Sequence, residues 1–365
     1  MKRSHYPESR LAAFDDCKKA LKSRLVASTS DFLVVHGDSL ELLEKLSPEC
    51  VSLVLTDPPY HTTQKKNIQG DTQFKSDDDF LGWISAYANQ WQRVLRKNGS
   101  LYVFCSTKMS ARIEVDLSSR FNALSHVTWT KPNDPGYDGW KGKASKTSLR
   151  TWYPHSERVL FFEPAYEGNL RRSTFGAWLR KERTRLHLST YDLAEVTESY
   201  GAVNHGGAVS NWEAGRNIPS REQFSKIVEA FKAVDQDAAY PDYEDVVRPF
   251  SVHVAMEFTD TWHYPSVKPY KGKHPAEKPV EMLESIVEAS SYEHDIVLDC
   301  FGGSGSSGEA AVRCGRKAII IEIDKKWCEV AASRLHAAAD QPRQPTRAIT
   351  HPKRKAKAPQ LSLLP

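Results

Sequence analysis

Paired cysteines are missing from this chain. Its six cysteines (Cys17, Cys50, Cys105, Cys300, Cys314 and Cys328) form no Cys-x-x-Cys pair and have no histidine at zinc-ligand spacing. That excludes a disulfide framework, makes a metal centre unexpected and reads them as reduced thiols of an intracellular protein. No apolar run approaches the roughly 20 residues that a spanning helix needs, so no membrane partner is expected. The first residues mix Lys, Arg, Asp and Glu without a secretory apolar stretch, and the expected compartment is the cytoplasm. A strong charge excess is also absent: 50 Lys and Arg face 46 Asp and Glu, a net +4. Local basic clusters permit a polyanionic partner without demanding one. Finally, no Lys-Ser or Lys-Thr follows the glycines at 302–308, which argues against nucleoside triphosphate hydrolysis. What remains is a 365-residue chain, 40% hydrophobic, able to bury one large core and carry an insertion.

That chain is organised around the stretch from Val51 to Tyr60. An apolar run, Val51-Ser52-Leu53-Val54-Leu55, enters Thr56-Asp57-Pro58-Pro59-Tyr60. Two prolines remove two backbone donors and fix φ near −65°, so a buried strand must stop there, with Asp57 and Tyr60 displayed at its carboxyl end. In open α/β sheets that end holds ligands. An exocyclic aromatic amine is a poor nucleophile because its lone pair is delocalised into the ring. A carboxylate and a backbone carbonyl that accept its two N–H bonds localise that lone pair. Asp57 and the carbonyl of Pro58 suit the task, with Tyr60 stacking on the base. A purely structural turn could use the same residues, yet this tetrapeptide should arise by chance in roughly one such chain in several hundred.

Taken in order, residues 8–26 put Leu11, Phe14, Leu21 and Leu25 on one helical stripe. A short strand follows over 31–36 and runs into Gly37-Asp38-Ser39 and a helix from Leu40 to Leu46. Asp38 is there either a ligand-binding acid or that helix's N-cap. The polar loop from His61 to Asp79 is a lid or a linker. Helical spacing covers 80–97, ended by Asn98-Gly99, and strands are predicted at 100–105, 126–131 and 158–162. Between the last two, Lys141, Lys143, Lys146 and Arg150 interleave with Tyr137 and Trp140, which suits a nucleic-acid surface or an ordinary solvated loop. Residues 234–250 read as an acidic linker. A helix from Val280, a strand at 296–299, the Gly-rich turn, a helix from Glu309, a strand at 317–324 and a helix to Leu335 complete the pattern. Beyond Gln341, Pro, Lys and Arg dominate and predict a disordered tail.

The middle third has no strand pattern. A basic helix from Phe175 to Ser189, the Leu193-Ala194 pair and Trp212-Glu213-Ala214-Gly215-Arg216-Asn217-Ile218-Pro219-Ser220 resemble the Cro/repressor-type helix-turn-helix. The resemblance implies that the helix before Trp212 enters a major groove, making His205, Ala208, Ser210, Asn211 and Arg216 candidates for DNA contact. About five extra residues between Leu193 and Trp212 imply a remodelled turn. A structural helical insertion is the other reading of the same pattern.

A Gly-rich strand-to-helix turn followed by a strand ending in an acid cradles nucleosides or dinucleotides, although such a turn alone is weak and is also found with nothing bound. Glu322 is placed to accept from ribose hydroxyls. Asp299-Cys300-Phe301-Gly302-Gly303-Ser304-Gly305 resembles the S-adenosylmethionine motif of the amino-methyltransferases of DNA, with Cys300 where Pro is usual. His274-Pro275-Ala276-Glu277-Lys278-Pro279 resembles the motif before it, and Asp57-Pro58-Pro59-Tyr60 their catalytic motif. The order, catalytic motif first and cofactor motif last, is similar to the permuted β class.

This resemblance implies an α/β, Rossmann-like methyltransferase fold: a mixed, mainly parallel sheet with helices on both faces, circularly permuted and carrying an all-α insertion. The implied divisions are an N-terminal helix (1–30), a catalytic half (31–165), a target-recognition region (166–249) with the helix-turn-helix at about 171–233, a cofactor half (250–338) and a basic tail (339–365). By the same resemblance Asp57, Pro58, Pro59 and Tyr60 are catalytic. Asp299, Phe301, Gly303 and Gly305 wrap S-adenosylmethionine, Lys278 and Ser304 hold its carboxylate, Glu322 its ribose and Asp38 its adenine. The expected reaction is N6 methylation of a flipped adenine in double-stranded DNA by a homodimer, with or without a restriction partner. N4 methylation of cytosine, or a silent DNA-binding regulator, are the alternatives.

Overall fold

The structure is a computed structural model that describes residues 8–61, 73–131, 147, 150–152, 155–165, 173–199, 207–252, 256 and 258–341. Its elements run α1 (Glu8–Ala20), β1 (Leu25–Ser28), β2 (Phe32–His36), α2 (Ser39–Leu43), β3 (Val51–Thr56), α3 (Asp77–Val94), β4 (Leu95–Cys105), α4 (Ser110–Leu117), β5 (Phe121–Thr130) and β6 (Ser156–Pro164). There follow α5 (Thr174–Arg185), α6 (Thr190–Val196), α7 (Gly207–Glu213), α8 (Arg221–Val234), α9 (Tyr243–Val246) and β7 (Thr261–His263). The chain returns through α10 (Val280–Ser290), β8 (Ile296–Asp299), α11 (Ser306–Arg313), β9 (Lys317–Glu322) and α12 (Lys325–Ala339).

The strands form one sheet in the order β1-β2-β9-β8-β3-β4-β6-β5-β7. The ladders joining β2, β9, β8, β3 and β4 are parallel, as is β5 with β7, while β1–β2, β4–β6 and β6–β5 are antiparallel. All six residues of β3 and all four of β8 are buried, as continuous apolar runs covered on both faces should be. Successive residues of β2 divide between two cores. Leu33 and Val35 join the layer of α1, α2, α3 and α4, which includes the fully buried Trp91, and Phe32 and Val34 join α10, α11 and α12. The mixed, mainly parallel sheet between helical layers is the one read from the sequence.

Several boundaries differ from expectation. The N-terminal helix stops at Ala20, and Leu25–Ser28 is an edge strand, so its alternation, not the helical stripe, sets that segment. The helix predicted over 80–97 ends at Val94. Asn98-Gly99 lies inside β4 where the register with β3 shifts, and a Cβ on Gly99 would come within 3.0 Å of the Ser52 carbonyl. Helix α11 starts at Ser306, three residues before Glu309. The 234–250 linker is docked: Asn98 Nδ2 donates to the carbonyls of Glu244 and Val247, and Arg96 pairs with Asp245.

Helices α5 to α8 enclose their own core of Phe175, Leu179, Leu193, Val209, Trp212, Ile227 and Phe231. Capping boxes open α6 (Ser189 with Asp192) and α8 (Ser220 with Gln223). Gly176 lets α5 cross α7 closely, since a Cβ there would lie 2.6 Å from the Glu213 carbonyl oxygen. This helical module meets the sheet at the amino end of the parallel strands. Thr174 Oγ1 donates to the carbonyl of Lys97 at the start of β4, and Arg221 stacks over Tyr292, just ahead of β8.

Candidate active site

A cleft of about 890 Å3 opens at the carboxyl ends of the parallel strands. The loops after β2, β3, β4, β8 and β9 all contribute to it, as sheet topology requires. At its centre β3 delivers Asp57, whose Oδ2 accepts a 2.6 Å bond from Lys278 Nζ. Asp57 Oδ1 is buried and has no hydrogen-bond partner among the described residues. Lys278 is seated just before Pro279, the N-cap residue of α10, with its ammonium 5.1 Å over the Tyr60 ring and 5.2 Å over Phe104.

Glu157, at the start of β6, ties this group together. Its Oε2 accepts from the Tyr60 hydroxyl at 2.7 Å and lies 3.4 Å from Lys278 Nζ, and its Oε1 accepts from Lys131 Nζ at 2.5 Å. Two carboxylates and two ammonium groups therefore share one low-dielectric site. Burial raises the pKa of Asp57, and the Lys278 charge offsets this only in part. Burial also opposes ionisation of Glu157, but Lys278 and Lys131 outweigh it and hold that carboxyl at about 2. Lys278 stays above its ordinary value because Asp57 and Glu157 overcome the effect of burial.

The other half of the cleft is the turn after β8. Gly303 has φ +48° and faces the His274 ring, 3.2 Å from where a Cβ would sit. Glu322, at the end of β9, grips this turn: Oε2 accepts from Gly303 N at 2.7 Å and Oε1 from Asp324 N at 2.8 Å. Phe301 packs on Trp83 and Tyr87, so the wall beside the turn is aromatic. Asp38 lines the same space and caps α2, accepting from Leu40 N at 2.8 Å. The N-cap reading of Asp38 is thus the one its hydrogen bonds bear out.

The structure brings Asp57, Pro58, Pro59, Tyr60, Asp38, Lys278, Phe301, Gly303, Ser304 and Glu322 to this cleft. Three roles change. Asp299 lines the cleft and its oxygens accept from Thr56 Oγ1, Phe301 N and Ser307 Oγ, so it also shapes the turn. Gly305 lies away from the cleft lining, at φ +79° under α12, where a Cβ would meet Ala331 at 2.8 Å, which makes it a packing position. Lys278 is paired with Asp57 and Glu157 instead of standing alone in the cofactor half. Lys141, Lys143, Lys146 and His205 lie outside the described residues, and Arg150 is exposed. Ser210 is exposed on α7, and Asn211 Oδ1 accepts from Arg216 at 3.1 Å. These three belong to the helical module, at the opposite end of the sheet from Asp57. Glu157 and Lys131 escaped the sequence reading; a Glu in a strand otherwise ending in an apolar run (Val159 to Phe162) was the available signal.

The sequence profile of the DNA methylase family matches residues 51–333. The DNA adenine methyltransferase YhdJ of Escherichia coli is 27% identical over 309 residues, covering 84% of this chain and 83% of that protein. The type II methyltransferase M2.LlaDCHI of Lactococcus lactis is 26% identical over 320 residues, covering 84% and 90%. Among solved structures, the PvuII DNA methyltransferase (cytosine-N4-specific) superposes with a TM-score of 0.50 at 18% identity, covering 85% of this chain and 88% of that one, a likeness of fold. An aromatic wall and a turn with Gly303 at positive φ beside Glu322 suit a nucleoside-bearing methyl donor. The chain belongs to the DNA methylase family and is an S-adenosylmethionine-dependent methyltransferase.

Proposed function

We propose that this protein methylates the exocyclic N6 of adenine within a specific sequence of double-stranded DNA, the base being flipped into the cleft. The observation that carries the reading is Asp57 Oδ1, a buried acceptor without a partner among the described residues, on the loop that also offers the Pro58 carbonyl. An exocyclic amine has two N–H donors for those two acceptors. Adenine is favoured by Asp, rather than Ser, at the head of the loop, and by the name of the adenine methyltransferase relative. The order of the motifs along the chain supports the permuted β class.

S-adenosylmethionine would supply an electrophilic methyl group, the S–CH3 bond breaking to leave a neutral thioether, and Phe301, Gly303, Ser304, Glu322 and Asp38 are the residues that would hold it. The remaining work is positional. Asp57 Oδ1 and the Pro58 carbonyl fix the amine's two hydrogens and turn its lone pair toward the methyl group. Glu157 pins the Tyr60 hydroxyl, which orients the Tyr60 ring against the base. As nitrogen takes up the methyl group it becomes cationic, and one proton is lost toward Asp57 Oδ1, whose raised pKa suits it to receive that proton.

The test is nucleoside mass spectrometry on DNA from methylase-free cells expressing the parent or Asp57→Ala. N6-methyladenine from the parent, reduced at least 100-fold in the variant, is the expected result. N4-methylcytosine would reassign the base and keep the mechanism. DNA binding by folded parent without any modified base would leave a DNA-binding regulator.

A further inference from the structure

The cleft and the helical module occupy opposite ends of one sheet. The cleft is built from residues that follow β3, β4 and β8 or begin β6, including Asp57, Ser106, Phe301 and Glu157. The module touches the other ends of the same strands, through Thr174 on Lys97 at the start of β4 and Arg221 on Tyr292 just before β8, and the segment that follows it adds Asp245 on Arg96, Glu244 on Asn98 and Arg248 on Glu163 at the end of β6. The 11 residues of β4 span this distance, about 36 Å at roughly 3.3 Å each. A duplex whose base is flipped into the cleft lies on the carboxyl face. With a persistence length of about 50 nm, it does not fold back around the sheet to reach the module.

Several cations of the module are paired with carboxylates. Arg183 pairs with Glu213, Arg185 with Glu182 and Asp235, Arg221 with Glu244, and Lys226 with Glu198 and Glu222. Arg180, Lys181 and Arg216 are exposed and have no carboxylate partner among the described residues. Gly176, Arg180 and Arg183 share the stripe of α5 that faces α7, whose outer side shows Ser210. Unpaired guanidinium and ammonium groups beside an exposed polar helix suit a phosphate backbone flanking a major groove.

We propose that the module is a second duplex-DNA site, which holds a DNA segment other than the one being methylated. The cleft alone then selects the methylated sequence, and the module selects where on DNA the enzyme dwells. This rests on the methylase reading for the cleft only.

The test selects 30-base-pair duplexes from a random library on the full-length protein and separately maps the methylated sequence in cellular DNA. Two unrelated motifs are expected, one bound through the module and one methylated. Charge reversal at Arg180 and Lys181 (Arg180→Glu with Lys181→Glu) should deplete the bound motif at least tenfold while the methylated motif stays the same. Gly176→Ala, which disturbs the α5–α7 crossing from inside, should weaken the same motif. A single motif, both bound and methylated, or a changed methylated motif in the charge-reversal variant, would overturn the proposal. Enrichment of a module motif without any methylation would instead count against the reaction assigned to the cleft and leave the second site standing.

Discussion

Replacing Lys278 by Met removes one charge from the buried group while keeping most of its volume. The ammonium is 7% exposed and lies 2.6 Å from Asp57 and 3.4 Å from Glu157, so solvent cannot take its place. Breaking a buried pair by deleting one partner costs about 3–5 kcal/mol. At roughly 2 °C per kcal/mol for a domain of this size, Tm should fall by about 6–10 °C near pH 8. The sign of the pH dependence follows from Asp57. Its folded pKa is already raised by burial, and losing Lys278 removes the main opposing charge. A carboxyl whose folded pKa lies above its unfolded value contributes stability that is complete below the ordinary carboxylate range and is lost as pH rises through the folded value. The Tm deficit of Lys278→Met should therefore shrink toward pH 5 and be largest near pH 8. Thermal melts of parent and variant at both pH values measure it. A deficit equal at the two pH values would refute the reasoning, because it would reflect lost packing and not an uncompensated carboxylate.

Three further outcomes follow from the same geometry. Glu157→Gln removes a charge that helps raise the Asp57 pKa, so the acid limb of kcat/KM should move to lower pH while the rate falls; a slower enzyme with an unmoved limb would make Glu157 a structural residue only. Gly303→Ala forces a Cβ onto a backbone at φ +48°, against the His274 ring. At about 1–2 kcal/mol of strain it should weaken S-adenosylmethionine binding roughly tenfold by calorimetry, and unchanged affinity would place the cofactor elsewhere. Gly176→Ala sets a Cβ 2.6–2.7 Å from two backbone oxygens of α7, and about 1–3 kcal/mol of overpacking should open the module to limited proteolysis before the sheet domain is cut.

What could be read in advance follows the range of the interactions involved. Asp57-Pro58-Pro59-Tyr60 was legible because two prolines act on their own backbone, and the glycines after β8 because positive φ is a local demand. Glu157 was not, because its meaning comes from Tyr60, Lys131 and Lys278, which only the fold brings to it. Helix α11 was read as starting late because Ser306, Ser307 and Gly308 are weak helix formers. They are helical because small residues allow close approach to β9: a Cβ on Gly308 would come within 2.8 Å of Ile320. The helices of the module were legible from the basic run after Phe175, the Leu193-Ala194 pair and the pattern from Trp212 to Ser220. The end of the sheet to which they attach depends on Asn98, Lys97 and Tyr292, far away in the chain, and no local pattern states it.

Strand β3 lies between β4 and β8, and its last residue, Thr56, bonds to Asp299 across 243 residues of chain. On a ribosome adding roughly 5–20 residues per second, the catalytic strand waits about 10–50 s for that neighbour. Helices α5 to α8 fold on contacts within their own short segment and emerge during that interval. A nascent chain, or one stopped before β8, thus carries a finished helical module beside half a cleft, so the two parts of the protein mature at different times.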